Sequence, residues 1–152
     1  MATGLNADLG AIAAHALLSA GFVTYLADEQ EALRASVLAG WEHALAEAGL
    51  LGGGGGGGGR PAFSLTGFLS SEGQLLRWKS QGLPSDSLSS ENALVILHAP
   101  QPPLIIDPSS QAASWLRTYL TAQELPLECV TPQEPRFANA LELGKQYVLA
   151  SY

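Results

Sequence analysis

PPLIIDPSSQAASWLRTYL, residues 102–120, is the stretch on which the reading of the fold turns. Leu104, Ile105 and Ile106 form a short apolar run between a proline pair and the break at Asp107 and Pro108, which predicts a buried central strand. Ala113, Trp115, Leu116, Tyr119 and Leu120 then recur at helical spacing, so the strand is expected to pass through a tight turn into a helix. Towards the C-terminus, residues 127–130 predict a second strand, residues 135–143 a helix closed by Gly144, and residues 147–149 a third strand. The alternation βαβαβ implies an α/β fold, a parallel sheet with right-handed crossovers and helices on both faces.

Working back towards the N-terminus, Ser87 or Ser89 can cap a short helix through Glu91, Asn92, Leu94 and Ile96. Residues 94–97 taken alone fit a strand equally well. Ser71 followed by Gln74 places an N-cap before a helix that carries Leu75, Leu76 and Trp78 and ends at Gly82, with Pro84 beyond. Residues 63–69 form another short helix. Residues 52–59 are consecutive glycines, which offer no side chain to bury and read as a linker. A phosphate-binding role for them would need a flanking strand, a helix N-terminus and a lysine, none of which is adjacent. Before the linker, Leu9, Ile12, Ala13, Ala16, Leu17 and Ala20 mark the apolar face of a helix continuing towards Leu26. Asp28 with Glu31 has the form of a capping box for a second helix, whose face carries Leu33, Val37, Trp41, Ala44 and Ala48. The expected organisation is a helical hairpin over residues 1–50, a linker over 51–60 and the α/β part over 61–152.

The chain has 152 residues, 47% of them hydrophobic, which suffices for one modest domain. A net charge of −7 with scattered Lys and Arg offers no field for phosphate backbones, so nucleic acid is excluded as a partner. No apolar stretch reaches the roughly 20 residues that span a bilayer, so no membrane insertion is expected. The opening lacks the basic start of a signal peptide, and the single Cys129 cannot form an internal disulfide, which fits a reducing intracellular compartment. His15, His43 and His98 are too dispersed for a metal site. Trp41, Trp78 and Trp115 fall on apolar helix faces and are expected in the core.

A strand, tight turn and helix is where a phosphate-binding loop would sit. That place is taken by Asp107, Pro108, Ser109, Ser110, Gln111 and Ala112, the candidate cofactor-binding residues. Pro108 has no amide to donate, no lysine is present, and Asp107 sets a negative charge where phosphate would lie. The bland reading of Asp107 is a helix N-cap. Ser109 and Ser110 lack the surroundings of a nucleophile. No catalytic residue is assigned.

The segment WKSQGLPSDSLSSENALVILHAPQPPLIIDPSSQ, residues 78–111, resembles the dynein heavy chain at the start of its fifth AAA+ module. The resemblance rests on GLPSD at residues 82–86, the pair Glu91 and Asn92, PLIIDP at residues 103–108, and Gln111, Ala112 and Trp115, in order and at family-like spacing. LLSAGFVTYL, residues 17–26, is similar to the stretch where the returning arm of the stalk coiled coil enters that module. WKS before GLPSD, and the absence of an arginine before PLIIDP, look more like the intraflagellar-transport class of cytoplasmic dynein than the axonemal classes. The resemblance implies a fragment of a minus-end-directed microtubule motor: a partial AAA+ (P-loop NTPase-like) module in the ring wall, degenerate at its nucleotide site. The parent would bind ATP or ADP with Mg, carry intermediate and light intermediate chains, and work in the cytoplasm, on the cytoskeleton and in the cilium. This chain alone is expected to hold no cofactor and to have no ATPase activity; Ala150, Ser151 and Tyr152 stand where a magnesium-holding acidic pair would follow the third strand. The alternative is a standalone small partner-binding or nucleotide-binding α/β protein whose two halves, joined by the glycines, each survive proteolysis.

Overall fold

The computed structural model describes residues 2–51, 62–101, 103, 105–125, 130, 133–140, 142 and 143. Among them lie six helices: α1 (Ala2–Tyr25), α2 (Glu31–Glu47), α3 (Leu65–Leu69), α4 (Glu72–Ser80), α5 (Ser87–His98) and α6 (Gln111–Ala122). Residues 137–140, 142 and 143 are also helical, inside the helix expected over 135–143.

The expected α/β architecture is not what the chain adopts. The described residues contain no strand; they form helices joined by turns and irregular segments. Ile105 and Ile106, read as a central strand, are irregular and outward, 37% and 87% exposed. A strand is stable only when its amides and carbonyls meet a neighbour, and the prolines at 103 and 108 remove donors on either side of this short run. Residues 127–129 and 147–149 lie outside the described residues, as do Leu104, the glycine run and Cys129. Residues 94–97, which fitted helix or strand, belong to α5.

Local capping explains most boundaries. Ser64 Oγ accepts from Gly67 N at 3.1 Å at the start of α3, and Ser71 Oγ accepts from Gln74 N at 3.2 Å at the start of α4. Gly82, at φ +101°, ends α4 in a left-handed turn that lets Leu83 N donate to Trp78 O at 3.0 Å. The cap of α5 is Asp86, ahead of the two serines expected there: its carboxylate accepts Ser89 N at 2.7 Å and Ser89 Oγ at 2.8 Å. The Ser89 amide holds the Asp86 carboxyl below its ordinary pKa. The capping box expected at Asp28 does not form; α2 begins after Gln30 in extended backbone with no side-chain cap.

The core gathers Phe22 and Leu26 from α1, Leu65 from α3, Trp78 from α4, Ala93, Leu94 and Val95 from α5, and Trp115 from α6. Trp78 and Trp115 are fully buried and meet edge to face at 5.8 Å and 78°, the favoured arrangement for two aromatic quadrupoles. This one cluster joins residues on both sides of the glycine run, so the hairpin and the later helices are not independent halves. α1 contributes a different face from the one its spacing suggested. Ala14, Leu18 and Phe22 point inward, while Leu9, Ile12 and Leu17 are exposed together with Ala13, Ala16 and Ala20. The helix is apolar on both sides, so periodicity alone cannot choose between them; the outcome puts the large Phe22 against the core. Gly21 is fixed by contact, since a Cβ there would lie 2.9 Å from the Trp41 ring. Among the described residues, no helix is long and apolar enough to cross a membrane.

Arg34 is the buried cation of the fold, 4% exposed. Its Nε donates to Glu29 O, its Nη2 to Ala27 O and its Nη1 to Asn92 Oδ1, each at 2.8 Å. The guanidinium also lies 5.4 Å from the Phe22 ring centroid. Glu91 stands 3.7 Å away, yet burial raises its pKa by more than the nearby Arg34 lowers it. The close bonds of the guanidinium thus go to neutral acceptors, with Glu91 as a longer ion pair. Arg34→Ala, which leaves buried acceptors unmet, should cost about 2–4 kcal/mol, and Asn92→Ala about 1.5–3 kcal/mol. Glu91→Gln should stay within about 0.5 kcal/mol of the parent. Urea unfolding followed by circular dichroism ranks the three, and equal losses at Glu91 and Asn92 would contradict this assignment.

Candidate nucleotide site

The six residues singled out in the sequence lie together at the start of α6. Asp107 sits three residues ahead of the helix's cap position, and its side chain turns back over the first turn. Oδ1 accepts from Gln111 N at 3.1 Å and from Ser109 Oγ at 3.2 Å, and Oδ2 accepts from Ala113 N at 3.0 Å. The cap position belongs to Ser110, in left-handed backbone at φ 58° and with no side-chain bond to the helix. A residue with a Cβ adopts that conformation at some cost. The Asp107 bonds, with Ser110 N donating to Asp107 O at 3.1 Å, offset it. The helix-capping reading of Asp107 is what the geometry shows, delivered from further upstream than a residue at the cap position. The amide of Ala113 is the leading cause that lowers the Asp107 pKa, followed on the same side by Ser109 and Gln111.

Beside this turn opens a cavity of about 610 Å³, in the size range of small-molecule sites. Asp107, Gln111, Ala112 and Trp115 form its wall on the α6 side, Arg34 and Asn92 stand on another, and Asp28 adds a second carboxylate. Pro108, Ser109 and Ser110 are exposed and take no part in the lining. The six residues thus divide into three that face the cavity and three that face solvent. Arg34 and Asn92 carried no site signal in the sequence; the Glu91–Asn92 pair was notable only as part of the resemblance.

The electrostatics disfavour phosphate. Arg34, the cationic side chain of the lining, already directs three of its five donors to Ala27, Glu29 and Asn92. The first amides of α6, which would draw an anion, are directed at the Asp107 carboxylate instead. Among the described residues, no group of three His, Cys, Asp or Glu side chains could hold a metal ion.

This sequence falls in a known class of motor polypeptide. Residues 76–147 match the family described as the ATP-binding dynein motor region. The chain is 43% identical over 140 residues to cytoplasmic dynein 2 heavy chain 1 of Mus musculus, covering 92% of this chain and 3% of that protein. It is 39% identical over 151 residues to the Chlamydomonas reinhardtii protein of the same name, covering 96% and 3%. Against dynein axonemal heavy chain 2 of Homo sapiens the identity is 29% over 125 residues, covering 82% and 3%. No solved structure matches the chain. The chain belongs to the dynein heavy chain family, and it spans about 3% of the length of the relatives it matches.

Because the folded pKa of Asp107 lies below its unfolded value, the ionised form stabilises the fold. That contribution is complete above the unfolded carboxylate pKa of about 3.9 and is lost as pH falls through the lower folded value. Asp107→Asn should therefore melt below the parent by a constant margin from about pH 7 to about pH 5, with the two curves converging below about pH 4. Thermal unfolding across that range checks it; a margin unchanged at the acid end would remove the carboxylate from the capping role.

Proposed function

We propose that this chain forms the opening of the fifth AAA+ module of a dynein heavy chain, with residues 1–50 as the end of the stalk arm leading into the ring and residues 61–152 as the first part of the module. Its work is structural: it lies in the ring wall and relays movement between ring and stalk, and hydrolysis takes place in other modules. The observation that carries this reading is the Asp107 carboxylate seated on the amides of Gln111 and Ala113, where a nucleotide site would keep such amides for phosphate. With Arg34 engaged and two carboxylates on the cavity wall, the site is degenerate and takes neither ATP nor ADP with Mg. The whole motor would use ATP elsewhere in the ring to move towards microtubule minus ends. The higher identity to cytoplasmic dynein 2 heavy chains supports the intraflagellar-transport class, and with it a place in the cytoplasm, on the cytoskeleton and in the cilium, alongside intermediate and light intermediate chains.

Two measurements test the reading. Calorimetric titration of this chain with Mg·ATP or Mg·ADP up to about 1 mM, a concentration that reveals binding weaker than about 4 kcal/mol only in part, should give no saturable heat and no phosphate release above buffer. An antibody raised against residues 77–90 should detect a very large polypeptide in extracts of ciliated cells. A band near 15.8 kDa alone would instead point to a free small protein.

A further inference from the structure

We propose that Arg34 is the rigid joint between the α1–α2 hairpin and the α5–α6 part, and so a positioning residue for coupling between the stalk side and the rest of the ring. The inference rests on the reading of the chain as the opening of a motor-ring module. One guanidinium draws together three places that apolar contact alone would leave able to slide: Ala27 O and Glu29 O in the turn between α1 and α2, and Asn92 Oδ1 on α5. Apolar packing is non-directional and tolerates small shear, whereas charge-assisted hydrogen bonds fix direction as well as distance: the bonds to Ala27 O and Glu29 O lock the guanidinium within the hairpin turn, and the 2.8 Å bond to Asn92 Oδ1, with Glu91 at 3.7 Å, ties it to α5. A shift of about an ångström would break these bonds at a residue only 4% exposed, so the hairpin and α5 move as one body.

The chemistry of the joint sets it apart from the other ties of α2 to later residues. Ser87 Oγ donates to Glu31 Oε1 at 3.0 Å in an exposed position, where water competes. Phe63 N donates to Glu42 Oε1 at 2.6 Å but grips the chain before α3, not α5. The three close acceptors of Arg34 are neutral and do not titrate, and its ion pair with Glu91 at 3.7 Å is partly buried, so the joint is screened less by salt than an exposed ion pair. Asn92 lines the same cavity as Trp115, which meets Trp78 edge to face, so displacement of the hairpin reaches α6 through a continuous wall.

The test uses the intact heavy chain and three variants: Asn92→Leu, which keeps bulk but removes the acceptor; Asn92→Asp, which keeps an acceptor; and Arg34→Lys. Asn92→Leu and Arg34→Lys should leave basal ATPase within about twofold and cut microtubule stimulation at least about fivefold, the lower end of ordinary coupling between sites. Asn92→Asp should restore stimulation. Full stimulation in Asn92→Leu overturns the proposal, and so does a parallel fall of basal and stimulated rates, which would make Asn92 a folding residue only. The motor reading fails separately, if the antibody against residues 77–90 finds only the small polypeptide.

Discussion

A guanidinium removed from water must find its hydrogen bonds inside the protein, and the way Arg34 finds them organises this chain. Two of its acceptors are backbone carbonyls of the turn that leads into α2, ahead of the cap position at Gln30. The third is a side-chain amide on a helix 58 residues away in sequence. Meeting all three fixes the hairpin turn, the approach of α5 and the placement of Phe22 beneath the cation at once. A lysine could not do the same, because its donors radiate from a single point.

The start of α6 follows a related logic with the opposite charge. A helix N-terminus must satisfy its first amides, and a nucleotide site leaves that task to phosphate. Here Asp107 performs it from within the chain, and the left-handed Ser110 gives the carboxylate the approach it needs. A turn completed in this way keeps the first amides of α6 engaged within the chain. The division of the six candidate residues between cavity and solvent belongs to the same arrangement.

What could be read from sequence depended on how local the cause was. Ser71, Gly82 and the spacing around Trp115 act within a turn or two, and the corresponding helices formed where expected. The sheet did not, because a strand is defined by a neighbour, and an apolar triplet such as Leu104, Ile105 and Ile106 names none. α1 was recognised as a helix but presented its other face, since both sides are apolar and only tertiary contact with Phe22 decides between them. The burial of Arg34 was also invisible, as a lone arginine three residues after Glu31 looks like an ordinary exposed pair. Of the candidate site, the capping role of Asp107 was legible from the break after an apolar run. The contributions of Arg34 and Asn92 were not, because they arrive from other helices.

The chain leaves the first helical pair at Leu51, which is buried, and resumes at Phe63, whose amide is held by the Glu42 carboxylate. Both sides of the glycine run are thus tied to the same body. The glycine run lies between two attachments that its own residues do not make. For the experimenter it is a natural insertion point for a fluorophore-bearing tag, a way to watch this part of the molecule from inside without touching its core.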